Sequence, residues 1–223
     1  MTQSSPPSSL DLANLRSLWS TLLVLYPTLS VVHWESTETS AEMMQFIPGP
    51  PPVLYFPENA PLDFFEKLRA TRPISFQLAS EKLGIEPSTL TPEILRSFIF
   101  LHECGHAHDF VVNFAGVSAP DHPEQSLPRF EEACMRCNER QDFELKKLPI
   151  PVTPSGFNAS RVEYPDFLAT LVAEYLKKEA VTEKDLDAVY VELEHAYKNL
   201  PSEVYADDFA KKFLNDHNLL KSK

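Results

Sequence analysis

Hydrophobic positions recur with helical spacing near the N-terminus and again through most of the chain beyond Pro61. The first helical segment ends at Pro27, because proline interrupts a helix. Its apolar residues are Leu10, Leu12, Leu15, Leu18, Trp19, Leu22 and Leu23. Three β-like runs follow at 29–34, 43–47 and 53–56. The later pattern predicts helices over about 61–70, 75–83, 91–115, 128–147, 161–179, 183–199 and 201–216.

The order of these elements, strands first and helices after, predicts an α+β fold. We expect a small N-terminal β-sheet, then a mainly α-helical body containing the helix at about 91–115. The Ser- and Pro-rich residues 1–8 predict a disordered tail. No internal repeat or long linker interrupts residues 9–223, so we expect them to form a single domain.

The charge balance argues against a nucleic-acid partner. The chain has 223 residues with 20 Lys and Arg against 32 Asp and Glu, a net charge of -12, and no basic cluster. Three cysteines are too few for a disulfide scaffold. The longest apolar stretch, 22–32, contains Pro27 and cannot span a membrane, and the first ten residues carry no basic side chain. We therefore expect a cytoplasmic protein without a membrane partner.

The helix at about 91–115 has clear boundary signals. Thr91 is a suitable N-cap, and Pro92 follows it at the first helical position. Gly116 suits the residue just beyond the C-terminal end. Residues in the middle of this segment are therefore expected to be helical, so their relative positions on the helix surface follow from their spacing.

His102-Glu103-Cys104-Gly105-His106 is an HExxH pattern in the middle of this helix. Histidines at i and i+4 project from one helix face and can share a metal ion. Glu103 lies beside them and could accept a proton from a water that zinc makes acidic. The pattern predicts a catalytic zinc site rather than two histidines that bind nothing.

A catalytic zinc site needs a third protein ligand, for which Glu203 is the preferred residue. It opens the helix predicted over 201–216, and Asp207 follows one turn later, where its carboxylate could orient a ligating histidine. Glu131 and Glu132 remain alternative third ligands, since the next helix could return them to His106. His195 and Tyr205 are possible hydrogen-bond donors to the transition state, as is Tyr197.

Cys134 and Cys137 form a CxxC pair that offers a different interpretation. Together with His102 and His106 they would make a closed structural zinc site without catalytic function. A non-catalytic, zinc-stabilised protein is therefore the main alternative, and an interaction module is another. Glu103 would have no role in the structural site, and CxxC zinc ligands usually lie on tight turns rather than in helices.

The segment FIFLHECGHAHDF resembles the active-site helix of gluzincin metallopeptidases. The pattern Glu203-x-x-Ala206-Asp207-x-Phe209-Ala210 resembles the glutamate helix of two relatives, the ImmA/IrrE-like anti-repressor and radiation-response peptidases and the minigluzincins. Glu203 lies 97 positions after His106, farther than in the anti-repressor family. Either the intervening helices are an insertion or the third ligand is Glu131 or Glu132.

The resemblance implies a zincin-like fold and a selective intracellular zinc peptidase. It implies zinc on His102, His106 and Glu203, Glu103 as the base and Asp207 behind a ligand. The expected partner is a protein or peptide substrate, held along the edge strand of the sheet. Neither the substrate nor the oligomeric state follows from the sequence.

Overall fold

The computed structural model describes residues 14–38, 44–117 and 123–220, with side chains of the helix that begins at Pro123 described from 128 onward. The predicted tail at 1–8 lies outside these ranges. The strands are β1 (His33–Glu35), β2 (Gln45–Ile47) and β3 (Val53–Tyr55). The helices are α1 (Leu15–Leu25), α2 (Leu62–Thr71), α3 (Pro73–Leu83), α4 (Pro92–Asp109), α5 (Pro123–Leu145), α6 (Pro154–Glu163), α7 (Pro165–Leu176), α8 (Glu183–Lys198) and α9 (Pro201–Asp216). This composition confirms the predicted α+β class.

The three strands form one mixed sheet in the order β1-β3-β2. Strand β1 runs parallel to β3, and β2 runs antiparallel to it with Phe46 opposite Leu54. Strand β2 is therefore an edge strand.

The chain divides into two compact units, one with the described residues up to Met135 together with those from Tyr205 onward, and one from Arg136–Val204. Helix α9 is continuous across this division. The expected single domain over 9–223 stays a prediction.

Each unit has its own apolar core. In the first, Trp19, Trp34, Phe56 and Phe100 form an aromatic cluster with ring centroids 5.1–6.3 Å apart. This cluster joins α1, the sheet and α4, and it fixes the helix that carries the HExxH motif. In the second, the core consists of Leu148, Ile150, Phe157, Leu168, Val172, Leu186, Val189, Leu193 and Leu200.

Helix α4 begins where the sequence predicted. The Thr91 side chain accepts a hydrogen bond from the Ile94 amide at 3.3 Å, and Pro92 is the first helical residue. After Asp109 the chain widens into a π-helical turn over Phe110–Phe114. Gly116 then adopts a left-handed φ of 62°, which suits glycine at a helix end.

The single helix predicted over 161–179 is wrong, because two helices occupy this region. Helix α6 begins at Pro154, where Thr153 accepts a hydrogen bond from the Gly156 amide, and ends at Glu163. Helix α7 begins at Pro165. A residue before proline avoids the helical conformation, so Tyr164 interrupts the run.

None of the helices in the described ranges combines the length and the hydrophobicity that a membrane span requires.

Candidate metal centre

Helix α4 presents His102 and His106 one turn apart on the same face. Their Nε2 atoms lie 3.1 Å from each other, and the two rings are perpendicular. His102 is buried, with 8% of its surface exposed, and His106 is partly buried. Both imidazoles thus direct one nitrogen to the same point.

Glu203, in the first turn of α9, completes a group of three potential ligands. Among the described residues, His102, His106 and Glu203 offer ligand atoms that all lie within 4.8 Å of one another. Glu203 is itself buried, with 5% of its surface exposed. The arrangement provides two imidazole nitrogens and one carboxylate oxygen.

The alternative ligands lie outside this group. Glu131 and Glu132 are exposed on α5. Cys134 is partly buried and Cys137 is buried, and neither belongs to the group of potential ligands found among the described residues. The structure thus supports neither Glu131 nor Glu132 as third ligand, nor a His102/His106/Cys134/Cys137 site.

Asp207 is hydrogen-bonded to His102 on the side away from His106. Its Oδ1 lies 2.7 Å from His102 Nδ1, and Asp207 is 2% exposed. A carboxylate in this position accepts a hydrogen bond from Nδ1–H of the imidazole. The lone pair that can bind a metal is then on Nε2. One helical turn of α9 therefore carries both the potential ligand Glu203 and the residue that orients His102.

The contact between α4 and α9 depends on Gly105. A Cβ atom at this position would lie 2.7 Å from Ala206 Cα, 3.0 Å from the Ala206 carbonyl oxygen and 3.1 Å from Phe209 Cβ. Real Cβ atoms do not approach backbone so closely. The glycine in HExxH thus permits the close approach of α9 that brings Asp207 to His102.

Glu103 contacts the edge strand of the sheet. The Phe46 amide donates a hydrogen bond to Glu103 Oε2 at 2.8 Å. The Phe46 ring packs on Phe110, whose ring in turn stacks on Phe130. This contact was not predictable from local sequence patterns, because it joins residues 57 positions apart.

Helix α9 is anchored at its first turn by two further side chains. The Ser202 hydroxyl donates a hydrogen bond to Glu144, and both residues are buried. Lys198 Nζ donates to Glu203 Oε2 at 3.0 Å. None of Ser202, Glu144 and Lys198 was predicted as part of the site.

The residues predicted as transition-state donors have other surroundings. The Tyr205 hydroxyl lies 2.8 Å from His108 Nδ1, and burial, reinforced by Asp109, raises the pKa of Tyr205. Burial also lowers the pKa of His108, which favours its neutral form. His195 is an exposed residue of α8 whose carbonyl accepts a hydrogen bond from Asn199. Among the described residues, His195 does not belong to the group of potential metal ligands.

Cys104, inside the HExxH motif, is a packing residue. It is fully buried, and burial raises its pKa well above the usual thiol value, with Glu103 adding a smaller effect in the same direction. A thiol held protonated is a poor nucleophile and a poor metal ligand.

No family model matches the chain, and comparison with curated proteins and with solved structures found no match either.

Proposed function

We propose that this protein is a zinc-dependent metallopeptidase of the gluzincin type, with zinc held by His102, His106 and Glu203. The observation that carries the proposal is the convergence of these three side chains, with Asp207 bound to the rear of His102. The small three-stranded sheet that packs on the HExxH helix also supports a zincin-like fold.

The donor set suits zinc. Two ligands about 2.0–2.1 Å from a tetrahedral zinc ion lie roughly 3.3 Å apart, and the two Nε2 atoms are separated by 3.1 Å. Two histidines and one carboxylate are also a known catalytic donor set, which leaves the fourth position open. Glu103 and Asp207 add negative charge around the site without belonging to the ligand group.

Zinc in this site would polarise a peptide carbonyl and lower the pKa of a water to about 7. Glu103 is then the proton carrier. It takes one proton from the attacking water as the oxygen bonds to the carbonyl carbon, and it gives that proton to the nitrogen as the C–N bond breaks. Glu103 directly follows His102 on α4 and lies outside the ligand group, which would leave its carboxylate available for proton transfer.

A peptide is the substrate that best suits the neighbouring sheet edge. The hydrogen bond from the Phe46 amide to Glu103 brings the proposed base to the edge of β2. A substrate segment that runs along β2 would therefore have its scissile bond near Glu103. An extended segment can add to a sheet edge through main-chain hydrogen bonds.

The first experiment measures bound zinc per chain in wild type, Glu203→Ala and Glu132→Ala, purified identically. We expect about one zinc in wild type and in Glu132→Ala, as a single site requires, and loss of zinc in Glu203→Ala. Zinc loss in Glu132→Ala with retention in Glu203→Ala would contradict the ligand assignment. Wild type without zinc would contradict the function.

The second experiment compares wild type with Glu103→Gln on a mixture of peptides from a digested proteome, with new termini read by mass spectrometry. Because Glu103 carries the proton and does not bind the metal, Glu103→Gln should retain zinc and lose hydrolysis. A Glu103→Gln protein that generates the same new termini as wild type would refute the mechanism.

A further inference from the structure

Lys198 makes a direct contact with the proposed carboxylate ligand. Its Nζ lies 3.0 Å from Glu203 Oε2, and the side chains are 23% and 6% exposed. A protonated lysine offers three hydrogen-bond donors and no acceptor, so it binds the carboxylate and not the metal. The contact therefore occupies one of the two oxygens of Glu203.

The short connection between α8 and α9 fixes this pair. Lys198 is the last residue of α8, and only Asn199 and Leu200 precede α9. The Leu200 amide donates to the Tyr197 carbonyl at 2.9 Å, and the Leu200 carbonyl accepts from the Val204 amide at 2.9 Å. Leu200 is buried in the apolar core. The backbone thus holds Lys198 beside Glu203.

We propose that Lys198 is a positioning residue for the metal ligand: it holds Oε2 of Glu203, so that the carboxylate presents its other oxygen to the metal. The inference rests on the proposed function of this site. A carboxylate that binds through one oxygen takes one coordination position, whereas a bidentate carboxylate takes two. Lys198 thereby preserves the open position that a catalytic zinc needs.

The charge balance of the site supports this role. Glu103, Glu203 and Asp207 carry three negative charges, and a divalent metal supplies two positive ones. The ammonium group of Lys198 supplies the third. Its contact with buried Glu203 therefore balances a charge that burial would otherwise make unfavourable.

The test compares Lys198→Met with Lys178→Met, a control that removes a lysine paired with Asp185 on the surface. Zinc affinity is measured by competition with a chromophoric chelator. Loss of an orienting partner weakens metal binding by roughly 10–100-fold, so we expect this change for Lys198→Met and none for Lys178→Met. Lys198→Arg, which keeps a charged donor, should recover part of the affinity.

A second readout separates positioning from simple charge. The visible bands of bound Co²⁺ lose intensity when coordination rises above four, so Lys198→Met should show weaker bands than wild type and Lys178→Met. Thermal unfolding of the metal-free variants verifies that each is folded.

The outcomes distinguish this inference from the function on which it rests. If wild type binds zinc and Lys198→Met binds it equally or more tightly with an unchanged Co²⁺ spectrum, Lys198 is only a nearby charge and the positioning role is refuted. If wild type binds no zinc, the proposed metallopeptidase itself fails, and this inference fails with it.

Discussion

Replacing Gly105 with alanine should destabilise the protein, although the same change in most helices is stabilising. The added Cβ would lie 2.7 Å from Ala206 Cα, whereas carbon atoms pack at about 3.5–4.0 Å. Helix α9 would have to move by roughly 1 Å. The 2.7 Å contact between Asp207 and His102 would then exceed the range of about 2.7–3.2 Å for a hydrogen bond.

The size of the effect follows from three contributions. Overpacking costs about 1–3 kcal/mol, and a hydrogen bond to a charged group contributes about 1.5–3 kcal/mol. Alanine recovers about 1 kcal/mol of helix propensity. The net loss of ~1.5–5 kcal/mol corresponds to a decrease in Tm of roughly 3–20 °C for a chain of this length. Zinc affinity should decrease in the same variant, because α9 carries Glu203 and Asp207.

Thermal unfolding of Gly105→Ala and wild type, followed by circular dichroism, measures this difference. Gly156→Ala is the matched control, because the nearest atom to its added Cβ is the Thr153 hydroxyl oxygen at 3.2 Å, a side-chain atom that has to shift by only a few tenths of an ångström. Its stability should change by no more than ~1 kcal/mol. A Gly105→Ala protein with wild-type or higher Tm and unchanged zinc affinity would show that close packing of α4 on α9 does not support the site.

Three further changes test other contacts. Asp207→Ala should weaken zinc binding by roughly 10–100-fold in a chelator competition, whereas Asp208→Ala, at an exposed position, should not; equal effects would contradict the pairing with His102. Replacing both Cys134 and Cys137 by serine should leave the zinc content by elemental analysis unchanged, and zinc loss would favour the structural site. Lys178 and Thr182 lower the pKa of Asp185 in the folded protein. The ionised carboxylate of Asp185 therefore contributes fully to folding stability above the unfolded-state pKa of about 3.9. This stabilisation is lost as pH falls through the lower pKa of the folded state. Asp185→Asn should therefore lower Tm at neutral pH, and its difference from wild type should disappear in strong acid; a difference independent of pH would refute this.

The main elements were predictable because their signals are local. Thr91, Pro92 and Gly116 delimit the helix that carries His102 and His106, and capping depends on residues adjacent in sequence. The spacing of Glu203 and Asp207 by one turn similarly indicated their common helix face. The break at Tyr164 was also predictable, because Pro165 follows it. The hydrophobic residues on both sides of the break repeat with helical spacing, which favoured one continuous helix.

The contacts that surround the ligands were not predictable in the same way. The Phe46 amide reaches Glu103 only because β2 pairs with β3 and α4 packs against the sheet. Gly105 gave one usable signal, since glycine inside a helix often marks a close approach, but its partner Ala206 depends on tertiary packing. Lys198 lies only five positions before Glu203, yet their contact required the turn at Asn199 and Leu200.

The short edge strand has a consequence for selectivity in the proposed peptidase. Alternation along an antiparallel strand directs the polar groups of Gln45 and Ile47 to β3, so within β2 only Phe46 presents its N–H and C=O to the outer edge. The N–H is already bonded to Glu103, which leaves one carbonyl for a pairing chain. One main-chain hydrogen bond contributes only about 0.5–1.5 kcal/mol. Short unstructured peptides should therefore bind weakly, and recognition of a true substrate must draw on surfaces remote from the scissile bond.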